Sequence, residues 1–415
     1  MIETLSFQFN LIGISITILL LTLLFFKKID LISILALSSI FINFPIFNYK
    51  PWTFGFQIFF FFSIIFILSS IFNIFNSLKN KNFLILFSLV SLFILIVLIG
   101  LFLLYKNNYF LLVIKPKEDF KEGIFDINRF SRMNITQFLY LIFYFSLFLA
   151  IISSKFDLVK VIKAFFIGLN INFVFQIFEI FLYIFKKPLP IFLNDMSFSN
   201  ETMQALFLKN FTIYRFSGLI PSSSMLGVYL TIAMFFILFF KVFDKDIYKK
   251  LQIMILIFSF LLSISSTFIL GLLLILIYYL FKKKNYLIIF LIILLSILLF
   301  YTLSRETFII RLNNLLFSIN LFLKNPIFGI GWGSHFGDLF SNILVNTGIL
   351  GTLSFLSIFI FLILKSLEEK VDYNLMMISL ISLFLTGIIW NGININILWI
   401  ILGIWGMELI KDKDA

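Results

Sequence analysis

The chain has 415 residues, of which 61% are hydrophobic and 13% charged, with 62 Phe, no Cys, one His and a formal net charge of +12. A soluble globular protein carries about twice that charged share and could not hide so much hydrocarbon, so a water-soluble fold is excluded. Disulfides, thiolate catalysis and thiolate metal sites are excluded with the cysteines, a lone His leaves no basis for a His-built metal site, and no metal or other cofactor is expected.

A helix needs about 20 apolar residues to cross the hydrocarbon core of a bilayer. Runs between charged breaks predict spans near 6–26, 29–47, 53–76, 83–105, 135–153, 159–185, 218–240, 251–264, 267–281, 285–303, 342–364, 374–390 and 395–410. The first run, Phe7 to Phe26, lacks a basic flank and reads as a span rather than a cleaved signal. The run 251–281 is too long for one helix, and Ser263-Ile264-Ser265-Ser266-Thr267 favours a turn that divides it. The expected fold is therefore all-α, a polytopic membrane bundle of about twelve or thirteen helices, forming one transmembrane domain over residues 1–415.

Charge orients this bundle. With the C-terminal KDKDA in the cytoplasm, alternation puts Lys27-Lys28, Lys79/Lys81, Lys155/Lys160/Lys163, Lys241/Lys245/Lys249/Lys250, Lys282-Lys283-Lys284 and Lys365/Lys370 inside, as the positive-inside rule requires. The positive charge is then topological, and no nucleic-acid partner is expected. Three longer outside segments, 106–134, 186–217 and 304–341, break the pattern of short turns. All five arginines fall in them: Arg129, Arg132, Arg215, Arg305 and Arg311. Lysine suffices for topology. A guanidinium adds a planar fork that grips phosphate oxygens in pairs and stays charged when partly desolvated, so the outer face is expected to hold an anion site within reach of a lipid-linked phosphate. Chance placement with loop solvation is the plainer alternative.

Arg215 precedes a glycine turn, Pro221 and the serines from Ser222 that open the next helix. Pro and Ser are ordinary helix-start residues, and the same helix start offers open N–H groups to a phosphate near Arg215. Glu179 is the one acid well inside a span, where carboxylates are costly and often functional; it is placed to reach the interface or an arginine. From Arg311 to Lys324 a short interfacial helix is expected, with Arg311, Asn314 and Ser318 on one face, ended by Asn325-Pro326. The glycine-rich stretch beyond it, with Gly329, Gly331, Gly333 and Gly337, points to a cavity wall: irregular backbone at membrane depth must be buried in protein or line a wet cavity. Those glycines allow either close approach to substrate or a tight loop between packed helices.

The segments RFSGLIPSSSMLGVYL (215–230), SISSTFILG (263–271), and Arg311 followed by KNPIFGIGWG and NILVNTGILG resemble the O-antigen polymerase and O-antigen ligase superfamily. The resemblance covers roughly residues 211–364 and implies a bacterial glycosyltransferase of the GT-C type in the inner membrane. It implies transfer of glycan from an undecaprenyl-pyrophosphate donor on the outer face, with no metal. Arg215 and Arg311 match the arginines such enzymes use on the donor pyrophosphate, and Arg305, Asn314, Ser222, Glu179 and the glycines join them as expected substrate contacts. A chain-length regulator is a possible partner, besides membrane lipid. The ligase pattern places His-Asn where this chain has Gly337-Asp338, and His335 lies two residues earlier; the mismatch favours a polymerase. An aromatic often found four residues after the upstream arginine is here Leu315.

A lipid pyrophosphate is a stable leaving anion that needs fixed positive charge, whereas the acceptor hydroxyl benefits from a base. His335, Asp338 and Glu306 are the candidate bases, and the choice among them stays open. The rival readings are an O-antigen ligase, which transfers to lipid A–core, and a transporter of lipid-linked sugars. The transporter is disfavoured because ionisable residues gather at one face and no repeat is visible.

Overall fold

A computed structural model of the chain describes residues 6–41, 45–50, 54–107, 112–114, 125–127, 130–185, 205–208, 211–220, 222–285, 305–334, 338–388 and 395–410. The helices are α1 (Leu11–Phe25), α2 (Leu31–Ser38), α3 (Ile58–Ser77), α4 (Lys81–Asn107), α5 (Arg132–Ile152), α6 (Leu158–Ile184), α7 (Ser223–Phe239), α8 (Asp246–Ser263), α9 (Ser266–Lys282), α10 (Arg305–Lys324), α11 (Leu339–Glu369), α12 (Tyr373–Ile388) and α13 (Asn396–Ile410). Among the described residues seven short strands accompany them: β1 (Ser6–Phe9), β2 (Pro45–Lys50), β3 (Phe54–Gln57), β4 (Leu112–Ile114), β5 (Phe125–Ile127), β6 (Ala205–Leu208) and β7 (Phe211–Tyr214). They form three small antiparallel sheets, β1-β2-β3, β4-β5 and β6-β7.

The helical reading holds, and six further apolar helices of 10–17 residues lie among the described residues beside the longer ones. Among the described residues five helices are long and apolar enough to cross a membrane: α3, α4, α5 from Asn134, α6 and α11. The run 29–47 yields only the eight-residue α2, and the run 6–26 opens as a strand before Asn10 caps α1 by accepting the N–H groups of Ile12 and Gly13. Hydropathy registers apolar content irrespective of period, so a Phe- and Ile-rich strand scores like a helix. Pro45 also disfavours helix at the end of the run 29–47, for want of a backbone N–H. The expected span 285–303 lies outside the described residues, apart from Asn285. The division of 251–281 is as expected: α8 ends at Ser263, Ile264 takes a left-handed conformation, and α9 starts at Ser266.

The chain divides into two compact units, Met1–Ile71 with Ser154–Leu272, and Phe72–Ser153 with Leu273–Ala415. In the first, α6 packs on α2, α7 and α8. Gly168 of α6 lets Leu37 and Ile40 approach its backbone, and the Tyr229 hydroxyl of α7 donates to the Ser39 carbonyl (2.8 Å). In the second, α13 packs on α5 and α12, and α11 on α4, α10 and α12. Small residues set the closest approach, as is usual between membrane helices: Gly403 and Gly406 of α13 lie against Ile151 and Ile152 of α5. Trp399 stacks on Tyr144 with ring centroids 5.5 Å apart, and the Tyr144 hydroxyl donates to Asn396 Oδ1 (2.9 Å). Trp405 Nε1–H donates to Ser366 Oγ (2.7 Å), which satisfies the polar tip of that buried ring.

The surface is the reverse of a soluble protein's. Leu92, Leu95, Ile99 and Phe102 of α4 are exposed, as are Leu11, Ile18, Leu19 and Phe25 of α1. Contiguous apolar surface on that scale suits a hydrocarbon solvent rather than water.

Candidate functional site

In the first unit the stretch Arg215–Ile220 leaves β7, turns at Gly218 and leads to α7, whose N-cap Ser222 accepts the Met225 N–H. Three polar side chains of α6 hold this stretch. Asn172, Gln176 and Glu179 are spaced i, i+4, i+7 and so share one helix face. Asn172 Oδ1 accepts the Leu219 N–H (2.8 Å), Glu179 Oε2 accepts the Gly218 N–H (2.9 Å), and Gln176 Nε2–H donates to the Phe216 carbonyl (2.7 Å). The Glu179 carboxylate also takes the Ser217 N–H.

The same glutamine reaches a third element. Its Nε2–H also donates to the Ser259 carbonyl (3.2 Å) of α8, and its Oε1 accepts the Ser259 hydroxyl (2.5 Å). The Phe216 N–H in turn donates to the Leu262 carbonyl (3.0 Å). Gly218 has φ +66°, and a Cβ there would lie 2.7 Å from Asn172 Oδ1. The turn therefore sits flush on α6, with its polar backbone groups satisfied by side chains as a dry setting requires. Arg215 heads this fixed turn and is half-buried. Burial lowers its guanidinium from the usual value, yet a guanidinium keeps its proton in proteins. Arg215 is thus a permanent cation at the start of a rigid turn.

Gln176→Leu keeps the volume and removes three hydrogen bonds, stranding the Phe216 carbonyl and the Ser259 hydroxyl. A loss of about 1–3 kcal/mol is expected, measured as a lowered unfolding temperature of the purified protein in detergent.

In the second unit the glycine-rich stretch docks onto a break in α11. Gly348 is non-helical (φ 64°, ψ −164°), which interrupts the hydrogen-bond ladder between residues 345 and 350. The loop repairs the interruption on both sides. The Ile330 and Gly331 N–H groups donate to the Val345 and Asn346 carbonyls (2.9 and 3.1 Å), and the Ile349 and Leu350 N–H groups donate to the Pro326 and Ile327 carbonyls (2.8 and 3.3 Å). Gly329 (φ +70°) faces this seam so closely that a Cβ would lie 2.5 Å from the backbone of residues 345–347. Gly331 lies against Leu104 of α4, and Gly333 against Asn134 and Gln137 of α5. Close backbone packing thus accounts for glycine at all three positions. Below the seam, Leu321, Ile330 and Val345 form a buried apolar cluster flanked by Phe317 and Phe322, which ties the end of α10 to the loop.

Asn134, in the first turn of α5, donates through Nδ2 to the Trp332 carbonyl (2.6 Å) and to Ser334 Oγ (3.2 Å). The ends of two of the arginine-bearing segments, 106–134 and 304–341, therefore meet at Trp332. Asp338 caps α11, its Oδ1 accepting the Ser341 N–H (2.9 Å).

The expected site residues fall in both units. Arg215, Ser222 and Glu179 belong to the first; Arg305, Arg311, Asn314, Gly329, Gly331, Gly333 and Asp338 belong to the second. Arg305, Arg311 and Asn314 lie on the backbone of α10, whose helix begins at Arg305 rather than Arg311 and ends at Lys324 as Asn325-Pro326 dictates. By helical spacing, positions 311 and 314 lie on the strip that ends in the buried Ser318, while Leu315, Leu316, Ile319 and Leu323 are exposed. His335 and Gly337 lie outside the described residues. Asn172 and Gln176 were not singled out beside Glu179, although three polar residues on one strip of an apolar helix were the available signal. Compared with protein-family models, curated proteins and solved structures, the chain matches none.

Proposed function

We propose that this chain is a multi-pass membrane glycosyltransferase that polymerises a bacterial surface polysaccharide. A hydroxyl of the acceptor repeat unit attacks the anomeric carbon of the donor glycan. The bond from that carbon to the undecaprenyl pyrophosphate breaks, the pyrophosphate leaves with the electron pair, and the hydroxyl proton passes to a base. Arg215 neutralises the charge that gathers on the pyrophosphate, on the outer face of the cytoplasmic membrane, and the sequence resemblance implies a phosphate-binding arginine at Arg311.

The observation that carries this reading is the setting of Arg215. A permanent cation heads a turn locked by Asn172, Gln176 and Glu179, and a charge fixed beforehand stabilises a developing anion without reorganisation. The turn lies in the segment RFSGLIPSSSMLGVYL, one of those by which the sequence resembles the polymerase and ligase superfamily. A second such segment, KNPIFGIGWG, forms with NTGILG the seam at Gly348. The exposed leucines of α10 support a place for that helix against lipid, where a polyprenyl donor resides.

In cells that depend on this chain for their polymer, Arg311→Ala is expected to remove the long-chain ladder and leave single repeat units, with the protein still in the membrane. A ladder of normal length from membrane-resident Arg311→Ala would overturn the reading. Bare acceptor core with accumulated lipid-linked polymer would instead identify a ligase.

A further inference from the structure

The first unit has a second polar feature that the proposed glycan chemistry does not use. A cleft of about 350 Å³ opens where α6, the link 241–245 and α8 come together. Lys163, Asp244, Lys245 and Tyr248 are near the helix starts, and Phe166, Ile167 and Phe243 line it further in. Asn170 and Gln252 line its far end. From Lys163 to Asn170 the helix rises about 10 Å.

The cleft thus joins a basic rim to an apolar wall further in. Lys163 Nζ is 4.0 Å from Asp244 Oδ2, but the Asp244 side chain is 95% exposed and that of Lys163 47% exposed. Water screens such a pair, so the aspartate does not cancel the lysine. Seven lysines stand against three aspartates in 155–163 and 241–250, and one of the three, Asp157, caps α6 through the Val159 N–H. The Phe166 and Phe243 rings pack with centroids 5.2 Å apart to make an apolar wall. The Asn170 and Gln252 carboxamides bond reciprocally, Nδ2–H to Oε1 and Nε2–H to Oδ1. That reciprocal pair closes the deep end of the cleft.

We propose that this cleft binds one diacyl anionic phospholipid, with the phosphate between Lys163 and Lys245 and an acyl chain along Phe166, Ile167 and Phe243. A free phosphate would use only the rim and leave the apolar wall unexplained. Basic pockets between membrane helices on the cytoplasmic side are suited to such headgroups, and charge counting assigns both lysine groups to that side. The proposal needs the membrane setting and not the glycan chemistry, so glycan chain length does not bear on it.

The test uses the full chain in phosphatidylcholine nanodiscs, with phosphatidylglycerol added and bound lipid counted by native mass spectrometry. Phosphatidylglycerol is expected to be retained over phosphatidylcholine by roughly tenfold or more. Lys163→Gln/Lys245→Gln should reduce the preference to about twofold or less. Lys241→Gln/Lys250→Gln, which removes equal charge outside the cleft, should keep it. Unfolding temperatures in pure phosphatidylcholine confirm that both variants are folded. The proposal is overturned by absence of a preference in the unaltered chain, by equal losses in the two double variants, which would mean diffuse attraction, or by displacement of the lipid with soluble glycerol phosphate.

Discussion

Arg215→Ala is expected to abolish long-chain glycan, with polymer falling by about a hundredfold or more, the scale seen when a fixed group that stabilises developing charge is removed. The protein itself should remain in the membrane at normal level. The turn is held through the backbone of residues 216–219, whose partners are Asn172, Gln176, Glu179 and Leu262. Replacing the side chain at 215 leaves those bonds in place, so the lesion is chemical rather than structural. Arg215→Lys keeps the charge and loses the planar fork, and it is expected to restore no more than about a tenth of the polymer. The measurement is the chain-length ladder on a gel, beside the amount of chain in isolated membranes. A normal ladder from either variant would remove Arg215 from the donor site.

Gly348→Ala acts on the other unit and through the fold. Its backbone, φ 64° and ψ −164°, lies in a region that is essentially glycine-only and costs other residues about 1–3 kcal/mol. A Cβ there would also collide with the Ile327 carbonyl and lie 2.6 Å from the Gly329 nitrogen. Both groups belong to backbone already committed to the seam, so neither can move without breaking the bonds from Ile349 and Leu350. The combined loss should reach about 3–5 kcal/mol, since strain and overpacking add. Purified Gly348→Ala is expected to unfold at much lower temperature and to be depleted from membranes. Gly100→Ala is the control: its Cβ would lie 3.2 Å from the Phe328 carbonyl, with no positive φ. Alanine also favours helix over glycine by about 1 kcal/mol, so its net effect should be near zero. Equal stability of Gly348→Ala and the unaltered chain would show that the break in α11 tolerates a side chain.

These two sites were legible in the sequence to different degrees. The break at Ser263–Thr267, the stop at Asn325-Pro326 and the cap at Ser222 were readable because each rests on local chemistry: a turn, a missing N–H, a side-chain acceptor. The strands β1 to β3 were not, because an apolar Phe-rich run carries no period by which to choose strand over helix. The glycines of 329–333 read as a cavity wall or a tight loop with equal force. Only the register of Ile330 and Gly331 on Val345 and Asn346 shows what presses against them. Asp338, one of the candidate bases, is the N-cap of α11.

By itself the sequence determined the solvent and the punctuation of this protein. Its hydrophobic share demands a nonpolar surrounding, and its prolines, serines and glycines mark where helices start and stop. Burial of apolar surface is additive along the chain and can be read by counting. The tertiary structure decided which polar groups meet. Glu179 stands alone in a hydropathy profile, yet in the fold it is one of three residues that hold the Arg215 turn. Gly348 is one glycine among eighteen until the loop 326–331 closes on it. Hydrogen bonds are directional and short, so a partner 40 residues away in sequence is fixed by packing and not by composition.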